Sequence, residues 1–291
     1  MKRTRGQKIF NVFNVAGMVL LSVLWILPFF NIIAISLSMP LAVVRGEVSL
    51  WPVGFFLGNY QKILSMDMFF SGYKMTIFYT VVGTAISMVL TVLYAYPLSK
   101  PNLRGKNFYM GIILFCMLFG PGLIPTYLAI RSFGLINNVW AVILPHCLGT
   151  WNIVVMRTFF KGIPEEIEDS AVVDGANPFQ VLWHVVLPLS RAVISTISLF
   201  YAVGYWNGWF WPMLLLDNAK LHPISLFVRK MIMGSGLSGD ENMALIDLET
   251  ITNAEGLRAA SVFLVVLPII LVYPFIQKYF EKGVVLGSLK G

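Results

Sequence analysis

Fourteen Asp and Glu residues, three histidines and two cysteines are the chain's stock for proton transfer, metal ligation or nucleophilic attack. Their spacing points to none of these. No His, Cys or carboxylate set has metal-ligand spacing, no nucleophile–base motif is visible, and no P-loop pattern is present to cradle phosphates. Cys116 and Cys147 lie inside apolar runs and read as small packing residues. The acids are unevenly placed. Five of the 14, Glu165, Glu166, Glu168, Asp169 and Asp174, fall within "KGIPEEIEDSAVVDGANPFQVLWHVVLPLSR", residues 161–191, between two apolar runs. The apolar flanks alone give no reason to concentrate acids there.

The local chemistry of this segment predicts two short helices joined by a turn. Pro164 suits a first helical position, and Glu165 and Glu166 complement the positive end of the helix dipole. Glu165, Glu168 and Asp169 share a face at i, i+3, i+4, with Ile167 and Ala171 largely on the other side. Asp174-Gly175 supplies the stop, because glycine tolerates the left-handed conformation of a helix end. Asn177-Pro178 reads as an N-cap and first-turn proline. Val181, Leu182, Val185 and Val186 would pack the second helix against its neighbours, and Pro188 marks entry to the next apolar run. The expected result is a compact knob. An ordinary solvated loop is the alternative reading of any one acidic cluster.

A second group of polar and aromatic residues lies inside apolar runs. "FYAVGYWNGWFWPM" brings Tyr201, Tyr205, Trp206, Asn207, Trp209 and Trp211 near one another. Aromatic faces stack on sugar rings, and Asn and Tyr bond to hydroxyls; Trp and Tyr also form belts at membrane interfaces. Trp140, His146, Trp151 and Asn152 interrupt another apolar run, where polar groups face protein or water more often than lipid. Tyr201, Tyr205, Trp206, Asn207, Trp151 and Asn152 are therefore candidate substrate-pathway residues. His146, next to Pro145, can instead fill a backbone gap left by the proline, and His184 can face a partner or solvent.

The elements that hold these groups are set by composition. Of 291 residues 57% are hydrophobic and 12% charged, with a mean hydropathy of +0.77, which excludes an ordinary solvated globule. Six stretches are long enough to cross a bilayer, at roughly 20 apolar residues each: about 11–37, 73–98, 108–130, 138–156, 192–216 and 259–277. They must be helical, because lipid leaves no partner for free backbone groups. The fold class expected is all-α, a polytopic membrane protein with a single membrane domain over 1–291. The first run is too long for the core of a signal peptide. The net charge of +7 is spread between apolar runs, so nucleic acid is not an expected partner. Lys2 to Lys8, then Lys100, Arg104 and Lys106, then Lys278, Lys282 and Lys290 all fall on one side. The positive-inside rule makes that side, and both termini, cytoplasmic. Residues 38–72 and 217–257 are then external. The latter holds a surface helix in "LHPISLFVRKMI" and the acids Asp240, Glu241, Asp247, Glu249 and Glu255, a docking surface or simply a soluble one.

Taken together, Glu168-Asp169-Ser170-Ala171, Asp174-Gly175-Ala176 and Val185-Val186-Leu187-Pro188, placed between the fourth and fifth spans, resemble the EAA loop of ABC importer permeases. Asp169 and Ser170 stand where that pattern has two alanines. The resemblance extends over nearly the whole chain and is nearest to the smaller permease of the maltose-permease type; the tail "KYFEKGVVLGSLKG" looks like the branch handling oligosaccharides such as aldouronate, alginate and pectin fragments. The resemblance implies that Glu165, Glu168, Asp169, Ser170, Ala171, Asp174, Gly175 and Ala176 form a coupling helix seated on an ATP-binding subunit. It also implies that Lys290 and Gly291, in the cytoplasmic tail 278–291, approach the ATPase dimer. The expected function is oligosaccharide import across a bacterial inner membrane. The partners would be a second homologous permease, a dimer of ATP-binding subunits that use ATP and Mg, an extracytoplasmic solute-binding protein and membrane lipid. No cofactor is expected on this chain. A permease for an amino acid or osmolyte is the nearest rival; an ion-driven carrier or channel would need intramembrane acids that the spans lack.

Overall fold

A computed structural model describes residues 5–233 and 254–288. Among the described residues three helices are long and apolar enough to cross a membrane unbroken: α1 (Arg5–Ser36), α4 (Asp67–Ser99) and the first half of α15 (Ala254–Ser288). Between α1 and α4 lie two short helices, α2 (Pro40–Val44) and α3 (Gly58–Leu64). Among the described residues the only sheet-like pairing is an isolated antiparallel bridge from Ser38 to Phe55.

The other three spans are bent pairs rather than straight rods. The expected span at 108–130 is α5 (Lys106–Leu118) and α6 (Leu123–Ser132), meeting at 116°. Gly120-Pro121-Gly122 lies at the break, and Pro121 has no N–H to continue the ladder. The expected span at 138–156 is α7 (Val139–Ile143), a tight turn at Leu144–His146, and α8 (Thr150–Lys161), bent by 47° after Pro145. The span expected at 192–216 ends early: α12 (Arg191–Asn207) stops at Gly208, and a separate short helix α13 (Phe210–Leu215) carries Trp211. The helical run 178–189 that leads into α12 meets it at 85°. Counting each bent pair as one span, the described residues offer up to six crossings, three straight and three bent. The helix α14 (Ile224–Ile232) is not the free surface helix its sequence suggested, since Ile224, Leu226, Phe227 and Met231 are all buried.

Two compact units are distinguishable, residues 1–69 with 228–269 and residues 70–227 with 270–291. In the first, the end of α1 is fixed by side chains of α3. Asn59 donates to the Ser36 carbonyl at 3.1 Å, Ser36 and Tyr60 share a 2.6 Å hydrogen bond, and Tyr60 meets Phe263 of α15 edge-on. In the same unit Arg258 Nε donates to the Met231 carbonyl at 3.1 Å. Most of α1 is exposed, as a lipid-facing or partner-facing helix must be.

The second unit holds α4, packed along α12 through a stripe of small and hydroxyl residues, Gly83, Ser87, Thr91 and Ala95, at a spacing of four. Small residues let membrane helices approach closely, and hydroxyls bond across the gap. At the end of this stripe, α9 (Glu165–Val173) and α10 (Pro178–Val181) form the expected knob. A widened turn, Leu182–Val186, and α11 (Leu187–Leu189) continue from α10; Pro188 has no N–H to keep the regular ladder there.

Pro164 is the N-cap of α9, not its first helical residue, with an extended ψ of 132°. Asn177 caps α10 as expected, and Gln180 completes a reciprocal capping box. Asn177 Oδ1 accepts from the Gln180 N–H at 2.9 Å, and Gln180 Oε1 accepts from the Asn177 N–H at 2.8 Å. Asn177→Ala is expected to cost about 1 kcal/mol and to lower the melting temperature of the purified protein measurably. Gln180→Ala should cost less, because it frees only one donor.

Candidate functional site

The knob's turn is built by hydrogen bonds that close the C-terminus of α9. The Ala176 N–H donates to the Ala171 carbonyl at 2.9 Å and the Gly175 N–H to the Val172 carbonyl at 3.0 Å. This paired closure requires a left-handed residue at its centre, and Gly175 supplies it with φ +88°. The two alanines joined by the longer bond, Ala171 and Ala176, both pack on the buried cluster of Val181, Leu182 and Val186. Small residues at 171 and 176 therefore let the turn lie flat on the helix behind it, with Val185 packed against the same cluster. That cluster continues without interruption to Ala95 of α4, Met156 and Phe160 of α8, and Val193, Ile197, Tyr201 and Tyr205 of α12.

The acidic face divides. Glu165, Glu166, Asp169, Ser170 and Asp174 are exposed, whereas Glu168 is only 9% exposed. Its carboxylate accepts a hydrogen bond from Lys100 Nζ in an ion pair and another from the Tyr96 hydroxyl at 3.2 Å. Lys100 also lies over the Tyr96 ring, 4.5 Å from its centre. Glu168 therefore does not share an open face with Glu165 and Asp169; a cation at the end of α4 draws it inward. The outer surface of the knob carries apolar groups beside the remaining acids. Val173 is 86% exposed and Val172, Ile167 and Phe179 are exposed as well. A groove of about 980 Å³ runs beside the knob, and its lining includes Lys100, Lys106 and Lys161 together with Glu165, Asp169 and Phe179.

The residues expected along a pathway divide in a similar way. Tyr201 and Tyr205 are buried, and their hydroxyls are used within the helix bundle. Tyr201 Oη shares a 2.8 Å bond with Thr91 Oγ1 and accepts from the Gly149 N–H at 3.0 Å. Tyr205 shares a 3.2 Å bond with Ser87 and donates to the Ile143 carbonyl at 3.2 Å. The gap after Pro145 is thus bridged from α12 by Tyr201 at Gly149. Both tyrosines line a cavity of about 340 Å³ that His146, Asn207, Trp209, Phe210 and Trp211 also border. His146 and Trp211 face each other at 5.2 Å.

Asn207 is exposed and lines the cavity, and its amide donates to the Val203 carbonyl at 3.0 Å. Trp206 does not border the cavity; it lies edge-on to Tyr73 at 6.4 Å. Trp151 is exposed and Asn152 half-buried beside Gly149. Of the cysteines, Cys147 is buried and bonds to the Leu144 carbonyl, whereas Cys116 is exposed rather than packed. Lys290, Gly291 and the acids Asp240, Glu241, Asp247 and Glu249 lie outside the described residues.

Sequence reasoning missed the partners of Glu168, Tyr201 and Tyr205. Ser87 and Thr91 were detectable as hydroxyls four residues apart on an apolar helix, a pattern that puts both on one face. The ion pair from Lys100 to Glu168 spans 68 residues and has no local signal.

Comparison with known proteins adds independent findings. Residues 3–286 match the model of the family described as binding-protein-dependent transport system inner membrane component. The polygalacturonan/rhamnogalacturonan transport system permease protein YtcP of Bacillus subtilis (strain 168) is 38% identical, over 98% of this chain and 99% of its own length. Protein LplC of the same organism is 36% identical, over 100% of this chain and 98% of its own. A chain in the crystal structure of a bacterial ABC transporter involved in the import of the acidic polysaccharide alginate is also similar. It matches with a TM-score of 0.88 at 35% identity, over 96% of this chain and 99% of that one.

Proposed function

The chain belongs to the binding-protein-dependent transport system inner membrane components, and we propose that it is one of two homologous permeases in an ABC importer of acidic oligosaccharides. The observation that carries this reading is the knob. It is a short helix closed at its C-terminal end, backed by a buried cluster that runs into α4, α8 and α12, and it displays exposed Val172 and Val173 beside Glu165, Glu166 and Asp169. An exposed apolar patch rimmed by charge suits a protein contact. A pair of ATP-binding subunits is its occupant in this reading, on the side where Lys2 to Lys8 and Lys100 to Lys106 put the cytoplasm. ATP and Mg belong to those subunits. Their closure turns the knob as a rigid body and reorients the spans.

Acidic sugars are favoured because they are named for the pectin-type relative and for the alginate importer. The aromatic cavity with His146 and Asn207 offers stacking faces and hydrogen bonds of the kind a sugar ring uses. An extracytoplasmic binding protein would deliver the substrate. The test is uptake by the assembled transporter in liposomes, with labelled oligogalacturonate, oligoalginate, a neutral maltooligosaccharide, an amino acid and glycerol phosphate. ATP-dependent accumulation of an acidic oligosaccharide is expected. Accumulation of only the amino acid or glycerol phosphate would overturn the substrate assignment.

A further inference from the structure

Within the coupling knob, the exposed acids and the buried one have different surroundings. Glu165 and Asp169 face outward, where a partner can reach them. Glu168 is turned to the end of α4, where Lys100 and Tyr96 hold it. The end of α4 is held from two other helices as well. Arg157 Nε of α8 donates to the Leu98 carbonyl at 3.0 Å, and Lys106 Nζ at the start of α5 donates to the Lys100 carbonyl at 2.8 Å. These bonds cap carbonyls that a helix terminus leaves without internal partners.

The same helix continues upward as the stripe Ser87 and Thr91, bonded to Tyr205 and Tyr201 beside the aromatic cavity. Those tyrosines in turn bond to Ile143 and Gly149, on either side of the break between α7 and α8. A chain of polar contacts therefore runs from α9 through α4 to the cavity wall.

We infer that Glu168 is a positioning residue: it grips the cytoplasmic end of α4 through Lys100 and Tyr96, so that displacement of the knob is delivered to the cavity along α4 and not only through α12. The inference rests on the knob being the ATPase contact. It differs from that reading in assigning Glu168 to this chain's own interior. A buried ion pair suits the role, because separating its partners leaves an unpaired charge out of water. The two helices are thus made to move together.

The experiment uses the complete transporter with its ATP-binding subunits and binding protein, and reads the ratio of substrate-stimulated to basal ATPase. Glu168→Lys should reduce the stimulated activity about tenfold while the ATP-binding subunits still co-purify. The exchange Glu168→Lys with Lys100→Glu should restore at least half of it. Tyr96→Phe, which removes one of the two bonds, should give an intermediate ratio.

Three results would overturn the inference: a normal ratio in Glu168→Lys, no recovery in the exchanged pair, or loss of the ATP-binding subunits from Glu168→Lys. Should the exchanged pair fail to fold, Lys100→Cys with Glu168→Cys joined by a short bifunctional thiol reagent gives a second reading. The joined pair should keep its stimulated ATPase, because the two groups move as one body; loss of stimulation on joining would contradict that. Charge reversal at exposed Asp169 separates this inference from its premise. If Asp169→Lys leaves both co-purification and stimulation normal, the knob reading itself is at fault.

Discussion

Replacing Gly175 with valine is expected to abolish substrate-stimulated ATP hydrolysis and uptake while the chain remains inserted in the membrane. At φ +88° a β-branched residue meets its own backbone, at a cost of about 1–3 kcal/mol. A Cβ at this position would find nothing within 4 Å, so the penalty is conformational and does not involve the core. By itself it shifts the balance between closed and frayed turn by roughly 5- to 150-fold. The frayed form loses the bonds from Gly175 and Ala176 to Val172 and Ala171, and with them the stiff end that must carry force. Gly175→Asn should retain much of the activity, because asparagine tolerates the left-handed region better than valine. Membrane-fraction blotting together with ATPase assays of all three proteins checks this. Equal stimulation in the valine and wild-type proteins would remove the mechanical role of the turn.

Gly83→Leu is expected to have the largest effect on stability. A Cβ built on Gly83 of α4 lies 2.6–2.8 Å from three atoms of the Tyr205 ring. The ring has little room to retreat, since its hydroxyl is held by Ser87 and the Ile143 carbonyl. Even alanine must push α4 and α12 apart, at about 1–3 kcal/mol. The larger side chain should prevent recovery of a folded, monodisperse protein. Gly83→Ala should lower the melting temperature in detergent by several degrees, and Tyr205→Ala in the same chain should return part of the loss by emptying the space. An unchanged melting temperature in Gly83→Ala would show that this contact does not limit the packing of the two helices.

Much of the knob was legible because its signals are local. Asn177-Pro178, Asp174-Gly175 and the Val181, Leu182, Val186 pattern are each decided within a few residues, by capping, by backbone freedom and by helical period. The long apolar runs were legible for a similar reason, since bilayer thickness sets a length any window can measure. The breaks were less so: Pro121, Pro145 and Gly208 are visible as residues, but whether a proline kinks a helix or ends it depends on what the freed backbone groups can reach. At Gly149 the answer is the Tyr201 hydroxyl, 52 positions away. Glu168 shows the same limit. Its helical position groups it with Glu165 and Asp169, and only the arrival of Lys100 from α4 decides that it turns inward. Residue type alone left Tyr201 and Tyr205 open between sugar contact and packing; their hydroxyls bond to Thr91, Gly149, Ser87 and the Ile143 carbonyl, while both residues also line the cavity.

The most direct test of the coupling account is cross-linking from Val173, the most exposed apolar residue of the knob. With Cys116 and Cys147 replaced by serine and alanine, a single Val173→Cys should react with a short thiol cross-linker to join this chain to an ATP-binding subunit in the assembled transporter. It should also resist impermeant thiol reagents added outside intact cells. Labelling from outside, or an assembled and active transporter in which Val173→Cys never joins the ATP-binding subunit, would contradict it.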